Sequence, residues 1–120
     1  MSRDKRDIRI LGKIVGYCDG IARCVNRFGS GVEALRADRD YMDSVAMKVL
    51  QIGELTTHLS DSFKATNNEV PWQSVKSMRN FAAHEYENFD VKTLWNTISK
   101  NIPALREYCQ RIIEQSKDAQ

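Results

Sequence analysis

From Ile8 onward, apolar side chains recur at steps of three and four, as Leu11, Ile14, Val15, Cys18, Ile21, Ala22, Val25 and Phe28. Only a helix gathers that spacing on one face, so the spacing predicts a first helix over residues 4–28. Gly29, Ser30 and Gly31 close it, with Gly29 suited to the left-handed residue that follows a helix. Inside it, Gly12, Gly16 and Gly20 repeat every four residues, and each weakens the helix by about 1 kcal/mol relative to Ala. So costly a row implies close approach of another helix backbone, from the same chain or from a symmetry mate.

The same period continues along the chain. A helical turn over residues 32–36 leads to a second long helix starting at residues 38–40, where an Asp can cap the free N–H groups. Its stripe is Met42, Val45, Val49, Ile52, Thr56 and Leu59, and Met47, Leu50 and Leu55 widen it enough to imply burial against more than one neighbour. Residues 60–68 are polar and read as a connection. Pro71 suits the first position of a third helix, which runs through Trp72, Val75, Met78 and Ala82 to Glu85 or Tyr86. Residues 88–90 break the pattern, Asp90 caps a last helix, and Val91, Leu94, Trp95, Ile98, Ile102, Leu105, Cys109, Ile112 and Ile113 carry it onward. Pro103 lacks an N–H and clashes with the carbonyl of Ser99, so a kink or break is expected there. Trp72 and Trp95 fall on apolar stripes and read as core anchors, and His58 as a surface residue near a helix end.

With 6 Gly and 2 Pro in 120 residues and no period-2 alternation, the chain lacks the punctuation of a β sandwich. The expected fold is an all-α, four- to five-helix bundle forming one domain over residues 1–120. The 18 basic and 16 acidic residues leave a formal charge of +2, too little for a protein that grips nucleic acid by bulk charge. Residues 1–27 nevertheless hold seven basic residues against three acidic ones, a surplus that suits an RNA-facing surface, an acidic partner or simply a solvated helix face. Cys18, Cys24 and Cys109 make no CxxC pair, which argues for buried thiols in a reducing cytoplasm and against structural zinc. No stretch has the apolar length of a membrane span, and the first 30 residues have no signal-peptide pattern.

The chemically informative segment is Met78-Arg79-Asn80-Phe81-Ala82-Ala83-His84-Glu85-Tyr86. On a helix, Tyr86 lies about 20° from Arg79 and His84 about 40° from Asn80, so two polar pairs occupy neighbouring stripes. Arg79 adjoins the apolar line of Val75, Met78 and Ala82, where a partly desolvated guanidinium needs an anionic partner. Arg79 and His84 stand about 140° apart, and one straight helix does not aim both at one point. Either the helix loosens at His84, or the length of Arg79 closes the gap, or a second protomer completes the site. Arg plus His suffices to cleave RNA without metal, since a neutral imidazole can deprotonate a ribose 2′-hydroxyl while a guanidinium stabilises charge on the phosphate. Asn80 can hold the imidazole tautomer or donate to phosphate, and Tyr86 can position substrate. Glu54 can pair with Arg79 or Arg39, act as a further acceptor in the cleft, or stand exposed.

Arg79-Asn80-x-x-x-His84-x-Tyr86 resembles the Rx4HxY motif of the HEPN superfamily, in particular its HepT-like toxins. Asp43, Gln51-Ile52-Gly53-Glu54-Leu55, Val70-Pro71-Trp72, Asp90-Val91, Leu94-Trp95 and Asn101-Ile102-Pro103 are similar to successive landmarks of that family and extend the likeness over about residues 38–110. The resemblance implies an all-helical homodimer whose two motif segments face each other across a composite RNA-cleaving cleft. It implies catalytic roles for Arg79 and His84, supporting roles for Asn80 and Tyr86, no cofactor and no metal. It further implies a toxin–antitoxin module with an MNT-type nucleotidyltransferase that transfers AMP to Tyr86. A second reading keeps the dimer and motif as a non-catalytic binding partner and AMPylation target of that nucleotidyltransferase.

Overall fold

The first helix, α1, spans Lys5–Phe28 and buries Ile10, Leu11, Ile14, Val15, Cys18 and Ile21 against the two longest of the other helices. The computed structural model describes the backbone of residues 5–84 and 91–118, and the side chains of residues 5–79 and 91–117. After α1 come α2 (Val32–Ala37), α3 (Arg39–Thr56), α4 (Asp61–Thr66), α5 (Trp72–His84), α6 (Val91–Asn96) and, beyond a π turn at Thr97–Asn101, α7 (Ile102–Asp118). Among the described residues there is no strand, so the all-α expectation is met.

Long helices pair along their apolar stripes. α3 lies between α1 and α5 and packs on both, while α7 covers the opposite flank of α1. The α3 stripe is buried between two neighbours at Tyr41, Val45, Val49 and Ile52, but Met47, expected to widen that buried face, is 57% exposed, and Leu50 and Leu55 are only half-buried. Leu94, Ile98, Ile102, Leu105, Cys109 and Ile112 close the core from the α6–α7 side.

The ends are fixed by local chemistry. Gly29 takes φ 111°, a left-handed value that favours glycine, and its N–H donates to the Val25 carbonyl at 2.9 Å. The Tyr41 hydroxyl donates to the Gly29 carbonyl at 2.9 Å, and its ring stacks on Phe28 at 5.2 Å, tying the α1 terminus to α3. The Asp38 carboxylate caps α3 by accepting from the N–H groups of Asp40 and Tyr41.

Three expectations need correction. First, residues 60–68 are more than a polar connection: Ser60 Oγ caps α4 by accepting from Phe63 N–H at 3.2 Å, and Phe63 is buried against Trp72. One apolar residue in a single turn is too little for periodicity to reveal.

Second, Pro103 does not break the last helix. The π turn just before it shifts the bonding to five-residue spacing, with Ile102 N–H donating to Thr97 C=O, and the helical run continues from α6 through α7. The wider turn makes room for the ring that an α-helical Ser99 carbonyl would obstruct. Third, among the described residues no helix backbone of the same chain packs on the glycine row, so of the two sources expected only the symmetry mate is left. A Cβ at Gly12 or Gly16 would meet nothing within 4 Å, and Gly20 is crossed by the Lys48 side chain instead.

Candidate active site

α5 begins where the Pro71 carbonyl accepts from Val75 N–H, and Trp72 anchors it by donating its indole N–H to the Asn67 carbonyl at 2.9 Å. With Trp72 and Val75 buried, the helix is held by its first turn, and Arg79 follows one turn after Val75 on the side facing α3.

Contact with α3 is unusually close at this point. A Cβ on Gly53 would fall 2.8 Å from the Arg79 backbone nitrogen, 3.0 Å from Arg79 Cβ and 3.2 Å from the Val75 carbonyl oxygen. Only a residue without a side chain lets the two helix backbones approach so far. The next residue of α3 then meets the guanidinium: Arg79 Nη1 donates to Glu54 Oε1 at 3.0 Å. Gly53 thus fixes where Arg79 starts and Glu54 fixes where it ends.

The anionic partner demanded by Arg79 is therefore supplied by its own chain. Arg39 instead bonds Asp43 at 3.0 Å, which decides between the two cations open to Glu54. The Arg79 side chain is 34% exposed and that of Glu54 49%, so the pair stands at the surface, in contact with solvent. A guanidinium has five N–H donors, and Glu54 takes one of those of Arg79, leaving a charged fork that can also engage a phosphate. His58 lies exposed just beyond the end of α3, as expected.

Asn80 and His84 belong to the α5 backbone, but their side chains lie outside the described residues, and Tyr86 lies outside them altogether. α5 is helical from Arg79 to His84, which separates the two by about 140° of turn and about 7.5 Å of rise. Sequence reasoning missed Gly53 as part of the site. Its signal was present, since a glycine in the middle of a strongly apolar helix asks for a close neighbour.

A groove of about 590 Å³ opens between α1 and the α6–α7 run. Ile21, Val25, Trp95 and Ile102 line it, and Arg106 bonds Asp19 at 3.0 Å on its wall. Neither Glu54 nor Arg79 contributes to it, so it is separate from the ion pair. Trp95 is half-buried there, packing on the core with one side and facing the groove with the other.

Cys18 and Cys109 are buried, and burial pushes both thiols up to about 12, which leaves them protonated and poor nucleophiles. Among the described residues no helix is long and apolar enough to cross a membrane.

The family model described as HepT-like ribonuclease matches residues 15–112, which include α3, α5 and most of α7. Curated relatives agree in kind. The chain is 36% identical over 55 residues to a probable ribonuclease HepT of Thermococcus cleftensis, covering 46% of this chain and 50% of that protein. It is 33% identical over 66 residues to a protein provisionally named as an RNase in Caldanaerobacter subterraneus, covering 55% of this chain and 59% of that one. A similarly named protein of Methanocaldococcus jannaschii aligns over 92% of this chain and 94% of its own length at 24% identity. The chain thus spans about half the length of the first two relatives it matches. No solved structure matches it.

Proposed function

The chain belongs to the HepT-like ribonuclease family, and on that footing we propose that it is a metal-independent endoribonuclease serving as the toxin of a toxin–antitoxin module. The observation that carries the reading is the placement of Arg79, held by Gly53 and Glu54 at the surface of α5 with donors to spare, in the motif Arg79-x-x-x-x-His84-x-Tyr86.

The chemistry follows from those side chains. Neutral His84 takes the proton of a ribose 2′-hydroxyl, and the 2′-oxygen bonds to the adjacent phosphorus. Negative charge gathers on the phosphoryl oxygens, where Arg79 stabilises it. The bond from phosphorus to the 5′-oxygen breaks, the leaving oxygen takes up a proton, and a 2′,3′-cyclic phosphate remains. Asn80 orients the imidazole or donates to phosphate, and Tyr86 positions substrate.

One α5 helix presents Arg79 and His84 in different directions, so the active unit is a homodimer in which two motif segments share one cleft. Met47 supports this: it is 57% exposed and stands two turns before Glu54 on the same face of α3. An apolar side chain left in solvent on the face of α3 that carries Glu54 suits a covered interface. The partner is an MNT-type nucleotidyltransferase that adds AMP to Tyr86, placing phosphate where Arg79 would otherwise receive RNA.

The test is cleavage of RNA in EDTA by protein free of AMP, with the new ends analysed. The expected products carry 2′,3′-cyclic phosphates. Cleavage that stops with EDTA and resumes with a divalent ion contradicts the mechanism.

A further inference from the structure

The outward face of α1 has an unusual composition. Projected on a helical wheel, Lys5, Arg9, Gly12, Lys13, Gly16, Gly20, Arg23 and Arg27 occupy an arc of about 100°, and no other α1 residue of Lys5–Phe28 falls within it. Every position in the arc is Lys, Arg or Gly. All five cations are exposed, and among the described residues none of them pairs with a carboxylate.

The acidic residues of α1 point elsewhere. Asp7 is buried on the opposite side and accepts from the N–H and hydroxyl of Ser60, at 2.9 and 2.8 Å. Asp19, at the margin of the arc, bonds Arg106 of α7 at 3.0 Å. Neither is available to neutralise the outer face. The near-neutral whole therefore hides one strongly positive strip.

The glycines give that strip its shape. Gly12 and Gly16 have no neighbour within reach of a Cβ, so nothing among the described residues accounts for these helix-weakening positions. Their effect is to lower the ridge between the cations and let a backbone lie close to the helix. At Gly20 the stem of Lys48 crosses from α3, with its ammonium bonded to Ser44 Oγ at 2.7 Å, and brings a further cation alongside.

We propose that the Lys/Arg/Gly face of α1 is a track for the phosphate backbone of single-stranded RNA, outside the cleavage site. Lys5 to Arg27 covers roughly 33 Å of helix, long enough to follow several nucleotides and match repeated phosphates with repeated cations. The track rests on RNA being the ligand, as in the function proposed above, and is independent of which residues cut it. α3 connects the two regions, since Lys48 borders the track and Glu54 holds Arg79.

The test compares binding of a fluorescein-labelled 30-nucleotide RNA across a salt series, in a His84→Ala background that prevents cleavage. The variant Arg9→Gln/Lys13→Gln/Arg23→Gln is expected to lose roughly tenfold or more in affinity, and its log-log salt slope to fall by about 2. A control, Lys100→Gln/Lys117→Gln, removes charge elsewhere and is expected to bind as the parent does. Arg9→Lys/Arg23→Lys preserves charge and should retain affinity, which separates lost attraction from disturbed folding. Unchanged affinity and slope in the triple variant would overturn the proposal. Loss of binding to a poly-aspartate peptide with RNA binding intact would also overturn it, assigning the face to an acidic protein. If wild-type protein binds with the full slope but does not cut, the cleavage mechanism fails and the track stands.

Discussion

Glu54 Oε1 accepts from Arg79 Nη1 at 3.0 Å, across 25 residues of chain and between two different helices. Both side chains are a third or more exposed, so the pair contributes at most about 1 kcal/mol to folding. Its value lies in direction. Glu54→Ala should leave the melting temperature within a few degrees of wild type and lower kcat for RNA cleavage about tenfold or more through misplacement of the guanidinium. Glu54→Gln, which keeps an acceptor, should recover part of the loss. Enzyme kinetics beside thermal denaturation provides the check.

Glycines in this chain should respond in opposite ways to the same substitution. Gly53→Ala drives a Cβ to within 2.8 Å of the Arg79 nitrogen, a backbone atom that cannot swing aside, and overpacking of this kind costs about 1–3 kcal/mol. Gly12→Ala and Gly16→Ala meet open space and should each stabilise the protein by about 1 kcal/mol. Urea denaturation of the three variants separates the two classes.

Much of this architecture was legible in the sequence. The steps of three and four at Ile8 to Phe28 and at Met42 to Thr56 are met by α1 and α3 because those helices bury one continuous face, whereas Leu59, buried too, lies past the end of α3. α4 and the π turn were not legible: the first rests on a single buried Phe63, the second on how a helix accommodates Pro103. The partner of Arg79 was narrowed but not chosen, since only the packing of α5 on α3 brings Glu54 within reach and gives Arg39 to Asp43. The Lys, Arg and Gly arc needed only a helical projection once the partners of Asp7 and Asp19 were known.

Asp7, in the first turn of α1, joins that helix to the cap of α4. It is 2% exposed and accepts two hydrogen bonds from Ser60, one from the same hydroxyl that caps α4. Asp7→Ala should cost about 2–3 kcal/mol, because buried hydrogen bonds to a charged group are lost together. A double-mutant cycle with Ser60→Ala in chemical denaturation should reveal coupling between the two positions, and additive losses would contradict the contact.

Burial of Cys18 and Cys109 ties stability to alkaline pH. Both thiols rise from an ordinary 9.0 to about 12, so the folded state holds protons that the unfolded chain releases first. Their contribution is fully present below pH 9 and is lost as pH climbs from 9 towards 12. At pH 8, iodoacetamide should label half-buried Cys24 before either of them, as read by mass spectrometry of peptides.

In the proposed mechanism Arg79 and His84 cut RNA, with a dimer bringing the two together. RNA cleavage by Arg79→Ala, by His84→Ala and by the two variants unfolded and refolded together tests it most directly. Each variant alone should be inactive, and the mixture should regain cleavage because a mixed dimer restores one intact Arg and one intact His to a shared cleft. Wild-type rates in both single variants would contradict the account.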